Sequence, residues 1–367
     1  MKNIRVGIIG QGRSGRDIHG LYLATDPKRF KIVAVADLLK DRRQLAAKEY
    51  HCDVYADYHD LLKRRDIDLM VNATPSRLHA PVTVEALQAG FHVLCEKPMA
   101  PTVKDVDRMI AASKKARRLL TVFQQARFYP YFQQLRKVLD SGVLGRIVQI
   151  SIASNGFSRR WDWQTLQDWN GGSLLNTGPH PLDQVLLLFG DGMPDVRCFM
   201  DRANTFGDAE DHVKLILSGK GHPLVDLEVS SCCSYPSFAY NIYGTRGGLM
   251  GTSSAMEWKY FKLSEAPKKK LTVKPIYKSD GSPGYCVEPL KWHKEQWPKK
   301  RPASAGSKGY VASQPLVAIS AGFYHNLYQA LVKGAPLEVM PAQIRRQIAI
   351  IEECHRQNPQ IYGKSRR

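Results

Sequence analysis

The chain has 367 residues, 43% of them hydrophobic, and carries 53 Lys and Arg against 34 Asp and Glu, a formal net charge of +19. That length can bury a sizeable core and exceeds one typical domain, so a globular protein of two domains is expected. No run of eighteen apolar residues occurs, and the strand-like IRVGIIG begins at residue 4, so the expectation is a cytoplasmic protein with neither a membrane span nor a signal peptide. The positive charge is concentrated between Glu265 and Arg301, with ten Lys or Arg against four Asp or Glu, but without the interleaved aromatics of a nucleic-acid module. No nucleic-acid partner is expected, because charge alone speaks to solubility and nonspecific attraction. The seven cysteines lack metal-ligand spacing, so no metal is expected and the thiols are read as free and mostly buried.

In chain order, IRVGIIG, KIVAVAD, DLMVNAT, FHVLCEK and LLTVFQQ read as short buried strands separated by helical stretches such as APVTVEALQAG. Parallel neighbours need a crossover, usually a helix, so residues 1–124 are predicted to form a Rossmann-type, doubly wound parallel sheet. After the helical YFQQLRKVLDSG, longer alternating runs follow (RIVQISIAS, DHVKLILSG, LVDLEVSS, FAYNIYG). They predict a mainly antiparallel sheet in a second domain over residues 125–367. One helix, PLDQVLLLFG, interrupts that sheet; helices over 320–332 and 341–355 close the chain, and residues 264–315 read as an irregular insertion.

The first strand runs into Gly10, Gly12 and Gly15 in GxGxxG spacing, and Asp37 closes the next strand 22 residues after Gly15. Such glycines let the backbone turn and approach a pyrophosphate, and the acid can bind an adenosine ribose. A carboxylate there repels a 2′-phosphate, which favours NAD over NADP, although Lys40, Arg42 and Arg43 lie nearby. Lys97, in CEKPMA, sits at the carboxyl end of a strand, where partial burial would lower its pKa and make a neutral amine available as a base. Three tryptophans, Trp161, Trp163 and Trp169, fit either sugar stacking or burial. In GGSLLNTGPHPLDQ, Pro179 and Pro181 fit a first helical turn, so a helix is predicted from about Gly178, with Asn176 and His180 at its mouth.

GIIGQGRSG, NATPSRLH, EKP and GGSLLNTGPHPLDQ, in this order, resemble the glucose-fructose oxidoreductase and inositol dehydrogenase family, Gfo/Idh/MocA, over nearly the whole chain. The resemblance implies hydride transfer between a nicotinamide and a carbinol carbon of a sugar, glycoside or cyclitol, in a homodimer or homotetramer, with the second domain an open sheet that serves substrate binding and oligomerisation. It implies that Gly10, Gly12, Arg13, Ser14, Gly15 and Asp37 form the dinucleotide loop and ribose acid. Thr74, Pro75 and His79 match the segment beside the nicotinamide ribose, and Glu96, Lys97 and Pro98 match the catalytic tripeptide. Gln125 stands where relatives often have asparagine, with Arg127 and Tyr129 close to cofactor and substrate. Arg159, Arg160, Trp161, Asp162 and Trp163 are implied to line the substrate side. His180 is implied to assist Lys97, and Asp183 to act within the site. Asn176 departs from the family, where an aspartate is usual. Two other activities remain open: cleavage of a glycoside by transient oxidation, and a regulator that binds NAD without catalysis.

Overall fold

The computed structural model describes residues 3–299 and 316–363. Six parallel strands form the first sheet: β1 (Ile4–Ile9), β2 (Phe30–Ala36), β3 (Asp53–Tyr55), β4 (Leu69–Asn72), β5 (His92–Cys95) and β6 (Leu120–Val122). Their spatial order is β3-β2-β1-β4-β5-β6, the doubly wound arrangement, and the order reverses between β1 and β4. Ligands bind in the crevice outside the carboxyl ends of strands at such a switch point. All but β3 are buried almost end to end because helices cover both faces, which explains their continuous apolar runs. The three-residue β3 at the edge has no apolar run to announce it in the sequence.

The second sheet has eight strands in the order β14-β13-β12-β11-β7-β10-β9-β8. They are β7 (Ile147–Asn155), β8 (Asp195–Asp201), β9 (His212–Ser218), β10 (Leu224–Ser230), β11 (Tyr240–Gly244), β12 (Gly247–Gly251), β13 (Met256–Tyr260) and β14 (His293–Trp297). All neighbours are antiparallel except β7 and β10, whose parallel pairing makes the sheet mixed. Its inner face is alternate and apolar, as along β9, and packs under the helices Pro179–Phe189 and Pro341–Gln357.

Three expectations change. The segment read as an irregular insertion contributes the edge strand β14, which pairs with β13; its residues 300–315 lie outside the described residues. The helix Leu316–Lys333, assigned by its place in the chain to the second domain, packs on both: Phe323 meets Phe128 edge-on at 6.1 Å, while Tyr324 stacks on Tyr22 of the first domain at 4.4 Å and meets Phe30 edge-on. Of the seven cysteines, all free, only Cys95, Cys198 and Cys354 are buried, and Cys286 is exposed. Among the described residues no helix is long and apolar enough to cross a membrane.

Candidate active site

The loop after β1 is shaped by its own packing at two glycines and left open at the third. Gly10 has φ +94°, and a Cβ there would lie 2.5 Å from the Ala73 carbonyl oxygen; one on Gly15 would lie 1.8 Å from that of Gly10. At Gly12 a Cβ would meet nothing nearer than Arg42 Nη1 at 3.7 Å, so this glycine keeps bare backbone facing open space. A pyrophosphate needs that approach, at the start of the helical turn Ser14–Gly20. The Asp37 carboxylate accepts the Gln11 N–H at 2.7 Å and the Leu39 N–H at 2.8 Å, with Arg42 at 3.6 Å. Arg43 instead donates to the Asp37 and Leu38 carbonyls. Gln11 Nε2 is buried without a partner among the described residues, a donor a ligand in this loop would satisfy. These features fit a nicotinamide dinucleotide.

Beyond β4, Thr74 Oγ1 donates to Asn72 Oδ1 at 2.7 Å, and Pro75 begins the turn into the next helix. His79 is fully buried, its Nδ1 2.6 Å from the Pro98 carbonyl and its Nε2 2.9 Å from that of Thr74. Burial pushes its pKa down. Expected beside the cofactor ribose, its side chain instead ties the Thr74 turn to the tripeptide.

Glu96 and Lys97 leave β5 at the crevice. Burial would raise the Glu96 carboxyl, but the hydrogen bond and charge of His19, with Lys97 and His79 adding, hold it at about 2. Its Oε1 accepts from His19 Nε2 at 3.0 Å, and its Oε2 from the Lys97 N–H at 3.0 Å. His19 Nδ1 meets the Tyr324 hydroxyl at 2.7 Å, so a buried Tyr324, His19, Glu96 chain runs from the penultimate long helix to the tripeptide. The Lys97 amine donates to the Asn176 main-chain carbonyl at 2.9 Å. Burial lowers its pKa; Glu96 opposes this, and Arg13 and Arg160 add to it.

The helix Pro179–Phe189 starts where its two prolines place it, with Gly178 as cap. His180 Nδ1 lies 3.0 Å from Gln124 Oε1. The Gln124 amide is fixed in that sense because its Nε2 donates to the Pro179 carbonyl and to Gln347 Oε1, at 3.3 and 3.2 Å. His180 therefore donates from Nδ1 and keeps its lone pair on Nε2. Burial and the Lys97 charge push its pKa to about 3, so the ring is neutral. Gln124, Gln347, His19 and Tyr324 were not anticipated from the sequence. Only their placement beside strand ends and on helices was visible there.

Other expected contacts resolve differently. Arg127 and Asp183 form a buried bidentate ion pair at 2.7 and 2.6 Å, and Arg127 also donates to the Glu338 carbonyl and to Gln343 Oε1. Their charged atoms satisfy each other, so neither is free for substrate. Gln125 Nε2 donates to the Tyr129 hydroxyl at 3.3 Å, while its Oε1 is buried without a partner among the described residues. Burial raises the Tyr129 hydroxyl, against Gln125, and the Glu96 charge adds to it. Arg160 pairs with Asp162 and reaches Gln164. Of the tryptophans, Trp161 is 79% exposed beside Phe206 and Trp163 is 37% exposed, whereas Trp169 lies under the Arg77 guanidinium at 3.6 Å. The indoles are therefore not core residues.

Comparison with known proteins adds to this geometry. A family model described as oxidoreductase family, NAD-binding Rossmann fold, matches residues 4–124, and one described as GFO/IDH/MocA C-terminal domain matches residues 132–250. The chain is 28% identical over 257 residues to 2,7-anhydro-N-acetylneuraminate hydratase of Mediterraneibacter gnavus, covering 68% of this chain and 67% of that protein. It is 29% identical over 205 residues to inositol 2-dehydrogenase of Salmonella typhimurium, covering 55% of this chain and 59% of that enzyme. The fold is shared with the WlbA dehydrogenase from Bordetella pertussis, solved with NADH and UDP-GlcNAcA. That match has a TM-score of 0.74 at 22% identity and covers 97% of this chain and 96% of the other.

Proposed function

The chain belongs to the GFO/IDH/MocA oxidoreductase family, and from that premise we propose that it is an NAD-dependent dehydrogenase of a sugar, glycoside or cyclitol. The observation that carries this reading is the Lys97 amine, half-buried at the carboxyl edge of the parallel sheet, held by the Asn176 carbonyl and pushed toward its neutral form beside a neutral His180. Bound NAD supplies the hydride acceptor. Gly12, Arg13 and Ser14 hold its pyrophosphate, Asp37 its adenosine ribose, and Thr74 and Pro75 line the nicotinamide end. Lys97 takes the proton of the substrate hydroxyl, and the His180 Nε2 lone pair accepts a hydrogen bond from that or a neighbouring hydroxyl. Glu96 keeps an anion behind Lys97 and so limits how far the amine is depressed. Trp161 and Trp163 offer faces to the apolar side of a sugar ring.

The similarity to a hydratase favours a second reading, in which oxidation is transient and the net reaction opens a glycosidic or anhydro bond without net redox change. Sugars, glycosides and cyclitols supplied with NAD and with NADP separately, with NADH and product both followed, decide between the two. A dehydrogenase accumulates NADH in step with product; the second reading gives product without it. In either case Lys97→Met is expected to lower kcat by about 10² or more while NAD still binds. A variant that keeps more than about a tenth of the activity removes Lys97 from the role of base.

A further inference from the structure

One buried acid stands outside the residues used so far. Glu210 lies between β8 and β9 and is 2% exposed. Its Oε1 accepts the Leu174 N–H at 2.8 Å, and its main-chain carbonyl accepts the Ser173 N–H at 2.9 Å. Gly172, at φ +108°, lies flat against the same carboxylate: a Cβ there would sit 2.3 Å from Glu210 Oε2, so residues 172–174 rest directly on Glu210. The Tyr362 hydroxyl donates to Oε2 from the other side. Tyr362 belongs to the last turn, Pro359–Tyr362, and is stacked on His355 at 3.8 Å. Gln167 Nε2 fastens that turn to the same region through the Ile361 carbonyl at 3.1 Å.

The three residues held by Glu210 open the short helix Ser173–Asn176, where the Asn176 N–H returns to the Gly172 carbonyl at 2.9 Å. The carbonyl of Asn176 is the group that receives the Lys97 amine at 2.9 Å. A continuous path of hydrogen bonds and one helical turn thus joins the Glu210 carboxyl to Lys97 Nζ. N–H groups at a helix start have no partner within the helix, and a turn of four residues without its cap does not hold its shape. We propose that Glu210, clamped by Tyr362, is a positioning residue for Lys97: it fixes the 172–176 turn so that the Asn176 carbonyl holds the lysine amine buried and aimed into the crevice. The proposal rests on Lys97 as the proton acceptor for its consequence in turnover, but not for its structural content. The surroundings of Glu210 suit a clamp. Burial pushes the carboxyl up to about 7 against the Tyr362 hydroxyl and the Leu174 N–H, with Asp211 adding, and Arg160 lines the same small cavity.

The test reads Lys97 directly. Lysines of the full chain are reductively methylated with [13C]formaldehyde, the Lys97 resonance is assigned by its absence in Lys97→Arg, and its titration is followed by NMR. In Glu210→Ala the turn loosens, water reaches the amine, and the Lys97 pKa rises toward the ordinary lysine value of 10.5; in Glu210→Gln, which keeps an oxygen for the Leu174 N–H, it stays near wild type. With a turned-over substrate, Glu210→Ala lowers kcat by about tenfold to a hundredfold and leaves the KM for NAD within about twofold, since a small displacement of a reacting group is costly. A folded Glu210→Ala protein whose Lys97 titrates as in wild type overturns the proposal. Should Glu210→Ala fail to fold, Tyr362→Phe, which removes one hydroxyl, decides: a smaller rise in the same direction supports the clamp, and an unmoved titration overturns it. Because the titration needs no substrate, failure of the dehydrogenase reading and failure of the clamp are separable.

Discussion

Two side chains of the candidate site carry information that their neighbours decide. Asp37 follows β2 with both oxygens receiving main-chain N–H groups, and Arg42 stands 3.6 Å away. Removing the carboxylate frees Arg42 to meet a 2′-phosphate, so Asp37→Ala is expected to narrow the preference for NAD over NADP by about tenfold, or about 1.4 kcal/mol. Cofactor titrations check it, and a wild-type protein that prefers NADP contradicts the argument. Asn176 stands with His180 at the helix mouth, yet the Gln124 side chain holds the His180 ring, and the Asn176 main-chain carbonyl holds Lys97. An aspartate at this position would add a negative charge beside two groups whose pKa values burial lowers, and so raise both. With Lys97 as the proposed base, the rate of oxidation is expected to rise with pH as Lys97 loses its proton. Asn176→Asp is therefore expected to move that rising limb of kcat/KM to higher pH by about one unit. An unmoved limb would place the side chain too far from Lys97 to matter.

At the scale of elements, the helix Pro179–Phe189 does two jobs. Its first turn presents His180, and its second binds Arg127 through Asp183, locking the segment after β6 to the loop before Pro341–Gln357. Asp183 is polar in an otherwise apolar helix, a pattern that by itself fits a hydrogen bond within the site or a cap on neighbouring backbone. The pair is only 4% exposed on each side, so its geometry belongs to packing. Removing one partner strands a buried charge, and Asp183→Ala is expected to cost about 3 to 5 kcal/mol of stability. Denaturant midpoints measure this. A variant as stable as wild type with a raised substrate KM would return the pair to the substrate site. The helix itself was legible because its prolines and apolar run are local signals; its partner Arg127 lies 56 residues away along the chain, and Arg127 in turn reaches Glu338 across 211.

Across the whole molecule, the inner face of the eight-stranded sheet is covered by helices, while its outer face carries Tyr243 and Met250, 46% and 55% exposed, among charged residues of β13 and β14. A second copy of the chain is the expected cover, so Tyr243→Glu with Met250→Glu is predicted to lower the oligomeric state seen by analytical ultracentrifugation. A wild-type monomer, or an unchanged assembly in the double variant, would move the interface elsewhere. Five of the six parallel strands, the glycine loop, Asp37, the tripeptide and the helix bearing His180 were all determined by the sequence alone. Each depends on residues close together in the chain, where periodicity, glycine spacing and proline placement act directly. Tertiary structure alone decided the rest. His19 meets Tyr324 across 305 residues, Gln124 meets Gln347 across 223, and Tyr362 meets Glu210 across 152. Each of these pairs is polar and part-buried or buried, and burial leaves a polar group little choice but to find a partner. Which partner it finds depends on how the helices dock on the two sheets, and no local pattern in the chain encodes that.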